Sequence, residues 1–217
     1  MPPDPDSGRS HVVASVSRET AERLDIVVGE LRRWQQVRNL VAKSTLPQLW
    51  TRHVADSLQL AELGGDGPDW VDLGSGGGFP GLVVAATRPE LRVHLVESDG
   101  RKCAFLRHAV RVAGLSATVH EGRIDSVLPR LGVPATVSAR ALADLPDLLD
   151  LAESMLMAGA VGLFPKGRGY AAELTRAEQA WRFTADILPS RTDPDARILR
   201  IRDVAGRRSS PSPASPT

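Results

Sequence analysis

The sequence predicts an α/β protein: a mostly parallel, doubly wound sheet with an antiparallel last strand, preceded by a helical extension. Three observations carry this reading. Short apolar runs alternate with helix-period segments from Trp70 to Trp181. A glycine-dense loop, VDLGSGGGFPG at 71–81, joins the first such run to the first such helix. Before position 64 the periodicity is helical, and the last two strand-like runs have no helix between them.

Taken in order, residues 1–11 are rich in Pro, Asp, Ser and Gly, and 206–217 hold no apolar side chain larger than alanine. Disordered tails are therefore expected at 1–16 and 206–217. Leu24, Val28, Leu31, Trp34 and Val37 recur at spacings of four and three, one stripe of an amphipathic helix. A second helix is expected from near Pro47, with Leu49, Val54, Leu58 and Leu60 or Ala61 inward. The breaker GGDGP at 64–68 closes this extension, residues 17–67, and the sheet domain occupies 68–205. Strands are predicted at 70–73, 92–97, 117–121, 135–139 and 160–164, and helices at 80–87, 101–113, 145–157 and 171–181. The runs 183–188 and 196–202 form a hairpin, which reverses the last strand.

A chain of 217 residues, 42% hydrophobic and 24% charged, can bury one sizeable core. It contains no apolar run of membrane-spanning length, and its first residues lack the layout of a secretory signal. Cys103 is the only cysteine, which excludes an intrachain disulfide and a cysteine zinc cluster. His94, His108 and His120 are scattered and suggest no metal site. These features predict a cytoplasmic protein without a metal. The net charge of +1 does not announce a nucleic-acid partner. Of 27 Lys and Arg residues, however, only Lys43, Lys102 and Lys166 are lysine. Arginine forks suit phosphate and guanine edges, so an RNA partner is permitted though not required.

Gly76, Gly78 and Gly81 satisfy G-x-G-x-x-G, where backbone turns sharply and approaches a ligand. That pattern alone admits NAD or S-adenosylmethionine. Glu97, ending the next strand, can accept both ribose hydroxyls of either cofactor and does not discriminate. Asp72, just before the first glycine, favours S-adenosylmethionine: a carboxylate there repels a pyrophosphate but not a sulfonium and an ammonium. Pro80 suits the first turn of the following helix. Ile124 and Asp125 follow the third strand, where they either flank an adenine or simply start a helix. Arg140 ends the fourth strand, next to the expected methyl group, with a structural salt bridge as the competing role.

These residues bring a family into view. From about Leu31 to Lys166 the chain resembles the ribosomal RNA small-subunit methyltransferase G family, also called glucose-inhibited division protein B. The resemblance rests on Trp34, Asn39 and Leu40; on Arg52, His53, Asp56 and Ser57; on VDLGSGGGFPG; and on the segment Glu97 to Leu106. It continues through Gly122-Arg123, Ser138-Ala139-Arg140-Ala141 and Lys166-Gly167. Gly77 stands where such proteins often have alanine, and Glu97 where aspartate is frequent. The resemblance implies a Rossmann-like fold and methyl transfer from S-adenosylmethionine to N7 of one guanine in small-subunit ribosomal RNA, alone or in a ribosomal particle. It also implies that Gly74, Phe79, Ile124, Asp125 and Arg140 line the cofactor site.

Guanine N7 offers a lone pair and no proton, so no general base is needed. The protein's task is to orient the reactants and exclude water. Arg123 and Arg140 are the expected substrate-positioning residues, with Arg52, His53 and Lys166 holding RNA. Asn39 either bonds the base or braces the glycine loop. His53 either contacts RNA or pairs with Asp56 one helical turn away, and Trp34 belongs to the core. The expected form is a monomer. An NAD-dependent oxidoreductase, a non-catalytic RNA-binding or assembly factor, and a small-molecule methyltransferase are the rival readings.

Overall fold

The computed structural model describes residues 8–208. A short helix α1 (Arg9–Ala14) precedes α2 (Arg18–Gln35), which Ser17 caps by accepting the Thr20 N–H at 3.1 Å. A 3₁₀ turn (Lys43–Gln48) and a π-helical segment (Leu49–Ala55) lead into α3 (Asp56–Leu63). The sheet units follow: β1 (Asp69–Leu73), α4 (Gly81–Thr87), β2 (Arg92–Glu97), α5 (Gly100–Val112), β3 (Ala117–Glu121) and the single turn α6 (Ile124–Val127). Then come β4 (Thr136–Ala139), α7 (Leu145–Leu151), α8 (Glu153–Met157), β5 (Val161–Lys166), α9 (Tyr170–Ala180), β6 (Trp181–Pro189) and β7 (Arg197–Arg207).

The strands form one sheet in the order β3-β2-β1-β4-β5-β7-β6. Pairings from β3 to β5 are parallel, whereas β7 runs antiparallel to both β5 and β6. The reversal of chain order beside β1 opens a crevice at the carboxyl ends of β1 and β4.

Each face of the sheet is covered. Leu24, Val28, Leu31 and Trp50 from the extension share one apolar cluster with Leu82, Leu95 and Phe105. The extension is therefore part of that layer, not an appendage to it. Leu148, Leu156 and Trp181 close the opposite face over Val71, Val137 and Phe164. No helix among the described residues is long and apolar enough to cross a membrane.

Four boundaries differ from expectation. The stretch expected to be a tail through residue 16 contains α1, because Val12 is buried and Arg9 lies over the Trp50 ring at 5.8 Å. At the other end β7 continues to Arg207, since backbone pairing with β6 (Trp181 opposite Arg207) needs no apolar side chains. Residues 1–7 and 209–217 of the two tails lie outside the described residues. Val37 is 68% exposed, because α2 stops at Gln35, where the side chain turns to bind the next segment. The helix expected at 145–157 breaks into α7 and α8 at Ala152.

Candidate functional site

Beyond the carboxyl ends of the strands lies a cleft of about 970 Å³. The glycine loop, the end of β2, the start of α6 and the turns after β4 and β5 form its floor and sides. The extension supplies the facing wall through Leu40, Thr45, His53 and Asp56, and the β6–β7 loop closes one end through Ser190 and Asp193.

Glu97 organises the loop end. Its Oε2 accepts the Gly76 N–H at 2.9 Å, while Oε1 accepts those of Ser98 (2.8 Å) and Asp99 (2.9 Å). Gly76 reaches this position with φ +54, in the left-handed region that side chains disfavour. A carboxylate oxygen can accept two bonds, so Oε1 is filled and Oε2 keeps one acceptor position beside the cleft. Ile124 and Asp125 line the same end as the first residues of α6; the helix start and the cleft wall are one feature. Arg123, just before them, is exposed and lies 3.5 Å from Asp125.

At the other end Arg140 follows β4. One guanidinium nitrogen donates to the Arg52 carbonyl at 3.0 Å, the other meets His53 Nδ1, and the group lies 5.4 Å from the Phe79 ring centre. The His53 and Phe79 rings are 5.0 Å apart. Burial first, then the charges of Arg140 and Arg52, push the His53 pKa down to about 3, so the ring is neutral. Arg140 is the group His53 pairs with; Asp56 instead accepts the Thr192 hydroxyl.

Three expected site residues lie outside the cleft lining, and a fourth lines it with its charged group engaged. Asp72 is fully buried behind the loop, where Oδ1 accepts the Ser138 hydroxyl (2.8 Å) and Oδ2 the Gly81 N–H (3.3 Å). It ties β1 to β4 and to α4, so electrostatic exclusion of a pyrophosphate is not its role. Gly78 faces the core: with φ +89, an added Cβ would lie 2.3 Å from Leu82. Asn39 is exposed and outside the cleft lining, because Gln35 pins the backbone beyond it. Gln35 Oε1 accepts the N–H groups of Leu40 (2.9 Å) and Val41 (3.0 Å), which sets the Leu40 carbonyl over Gly77. Lys166 lines the cleft, but its ammonium also serves as a brace. Its ammonium donates to the Ala143 carbonyl at 2.7 Å and pairs with Glu173 at 2.8 Å, fixing the turn after β4. Arg52 remains at the rim, paired with Asp193 at 3.0 Å.

Asp72 yields a pH prediction. Burial pushes its carboxyl up to about 6 from 3.8, against the pull of its hydrogen bonds to Ser138, Ser75 and Gly81. A folded-state pKa above the unfolded one stabilises below the unfolded value, and that contribution is lost as pH rises through about 6. Relative to Asp72→Asn, the native protein should lose up to about 3 kcal/mol of unfolding free energy between roughly pH 4 and pH 7. Urea melts of both proteins at the two pH values measure this, and a pH-independent difference contradicts it.

Sequence reasoning did not single out Gln35, Thr45, Leu142 or the β6–β7 loop. Leu142 covers Gly74, where an added Cβ would lie 2.8 Å from its Cδ1. In the loop, the Arg191 N–H donates to Gln59 Oε1 at 2.7 Å and Arg191 pairs with Glu62 on α3. The acidic and polar residues at 190–196 carry a turn signal at most, and the contacts that tie them to the extension are distant in sequence.

Comparison with known proteins places this architecture. A family model described as rRNA small subunit methyltransferase G matches residues 20–192. A protein named ribosomal RNA small subunit methyltransferase G from Methylobacterium nodulans is 50% identical over 206 residues, covering 93% of this chain and 97% of that one. Its namesake from Methylorubrum populi is 51% identical over 202 residues, covering 91% and 96%. Among solved structures, cofactor-bound Rv0187 from MTB superposes with a TM-score of 0.60 at 19% identity, over 93% of this chain and 97% of that one. An O-methyltransferase from Bacillus cereus in complex with SAH gives 0.56 at 14% identity, over 82% and 90%. These two share the fold.

Proposed function

Because the chain belongs to the rRNA small subunit methyltransferase G family, we propose that its cleft delivers a methyl group to N7 of one guanine in small-subunit ribosomal RNA. The protein is an S-adenosylmethionine-dependent rRNA methyltransferase; the atom, the base and the roles of individual residues are the proposal. The observation that carries it is the arrangement at the two ends of the cleft. Glu97 and the glycine loop stand at one end, and Arg140, held by His53, the Arg52 carbonyl and Phe79, at the other.

The loop end fits the cofactor. Glu97 Oε2 keeps an acceptor position for a ribose hydroxyl, and Ile124 with Asp125 offers an apolar edge and a carboxylate to an adenine. When bound, S-adenosylmethionine supplies an electrophilic methyl group on a positively charged sulfur. The protein's own residues then have three tasks. Leu142 and Phe79 narrow the cleft around the transfer point and exclude water. Arg140 holds the substrate through guanine O6 or a phosphate, where a guanidinium is a good donor, and not through N7, which becomes positive as the methyl arrives. Arg52 and Arg123 stand at the rim as RNA-holding cations. No residue has to remove a proton, because N7 carries none.

This reading has the enzyme acting as a monomer in the cytoplasm, on ribosomal particles or their RNA. Incubation with labelled S-adenosylmethionine and small subunits from a strain lacking the protein tests the target. Label is expected at one guanine, with strand scission there after borohydride and aniline. Label in a ribose, a pyrimidine or several guanines, or none at all, overturns the assignment.

A further inference from the structure

A directed chain of hydrogen bonds connects the extension to Arg140. The Thr45 hydroxyl donates to the Ala42 carbonyl at 2.8 Å, which spends its only proton. Its oxygen lies 2.9 Å from His53 Nε2, so at that contact it accepts, and Nε2 carries the hydrogen. A neutral imidazole with Nε2 protonated has a lone pair on Nδ1, where the Arg140 guanidinium arrives, itself unable to accept. Each donor in the series meets an acceptor in one arrangement of protons only. The low pKa of His53 agrees, since a doubly protonated ring could not receive Arg140.

We infer that Thr45 is a positioning residue for methyl transfer: by accepting the Nε2–H of His53 it anchors the orientation of that ring, and so sets where the Arg140 guanidinium points into the cleft. The inference rests on the proposed role of Arg140 at the substrate end. Thr45 sits on the 3₁₀ turn Lys43–Gln48, in the wall facing the sheet, so this wall takes part in holding the substrate from behind Arg140. The tilted contact with the Phe79 ring packs against His53 but holds neither of its nitrogens. Arg140 at Nδ1 already requires the Nε2–H tautomer, and the Thr45 oxygen is the acceptor that anchors the Nε2 side of the ring.

Thr45→Val preserves shape and removes the acceptor, whereas Thr45→Ser keeps it. Long-range proton–nitrogen spectra of the full chain with labelled histidine should show His53 as the Nε2–H tautomer in the native protein and in Thr45→Ser. In Thr45→Val the tautomer should stay the same, since Arg140 still needs the Nδ1 lone pair, but the Nε2 nitrogen and its proton should lose their hydrogen-bonded shifts. With small subunits as substrate, kcat/KM should fall about tenfold in Thr45→Val and stay within about twofold in Thr45→Ser, the KM for S-adenosylmethionine being unchanged. A general loss of packing would lower melting temperature without moving the His53 nitrogens or separating valine from serine. Native Nε2–H shifts and native kcat/KM in Thr45→Val, or equal defects in both variants, overturn the inference. Arg140→Ala in the same assay separates the two layers. If it is inactive while Thr45→Val is normal, only the Thr45 role fails; if it is fully active, the placement of Arg140 fails and takes the Thr45 role with it.

Discussion

Arg140→Ala is expected to lower kcat/KM for small-subunit methylation by about a hundredfold or more, the range that misplacement of a reactant costs. The reason is the number of things this one side chain does. It is held to the Arg52 carbonyl, to His53 Nδ1 and over the Phe79 face. Those contacts use part of the five-donor fork and leave the rest for substrate. Arg140→Lys should be nearly as defective, because an ammonium cannot span His53 and the Arg52 carbonyl while keeping a donor for a planar base or phosphate. Removing the guanidinium also deprives His53 Nδ1 of its donor, so a melt must accompany the assay. Steady-state kinetics across salt concentrations add a second readout: loss of a phosphate contact flattens the salt slope by about one, whereas loss of a base contact does not. Activity of Arg140→Ala within about threefold of the native protein would remove Arg140 from the site.

The fold was legible wherever a residue's environment follows from its neighbours in sequence. Strands β1 to β5 lie within two residues of their expected positions, since buried parallel strands read as apolar runs and the glycine loop marks the first turn. The irregular wall before the sheet was not legible as such. Leu49, Val54 and Leu60 are buried as their spacing implies, yet the backbone passes through 3₁₀ and π geometry to bury them. Side-chain periodicity reports which residues face inward, not which hydrogen-bond ladder carries them.

The site divides in the same way. Glu97, Ile124, Asp125 and Arg140 stand in the cleft because the ends of parallel strands converge there whatever the rest of the chain does. Asp72 lies behind the cleft, and Lys166 lines it with its ammonium already engaged; a charge in a motif looks alike whether it faces a ligand or a partner. The partners, Ser138 and Glu173, come from other elements. Their burial shifts the meaning of the motif: Asp72 holds the strand-to-helix turn in shape, and Lys166 holds the turn that carries Ala141 and Leu142. The pairing of Arg52 with Asp193 joins positions far apart in the chain and leaves no local signal.

Glu97→Ala is expected to weaken S-adenosylhomocysteine binding by about a hundredfold, the sum of roughly two charge-assisted hydrogen bonds. One is the bond proposed to a ribose hydroxyl. The other is indirect: without the carboxylate, the N–H groups of Gly76, Ser98 and Asp99 lose their acceptor, and the loop is no longer drawn against the end of β2. Glu97→Gln distinguishes these contributions. An amide can still accept from Ser98 and Asp99 through its oxygen, but its nitrogen then faces the Gly76 N–H donor to donor and cannot accept from a hydroxyl. It should therefore bind almost as weakly as the alanine variant, although it fills the same volume. Glu97→Asp should retain binding if the shorter carboxylate still reaches Gly76. Calorimetric titration gives the affinities, and a thermal shift gives the same answer independently. Ligand at a hundred times its Kd stabilises by about 2.7 kcal/mol, most of which disappears when affinity drops a hundredfold. Binding by Glu97→Ala within about threefold of the native protein would mean that the cofactor is held elsewhere, and that Glu97 serves only to fold the glycine loop.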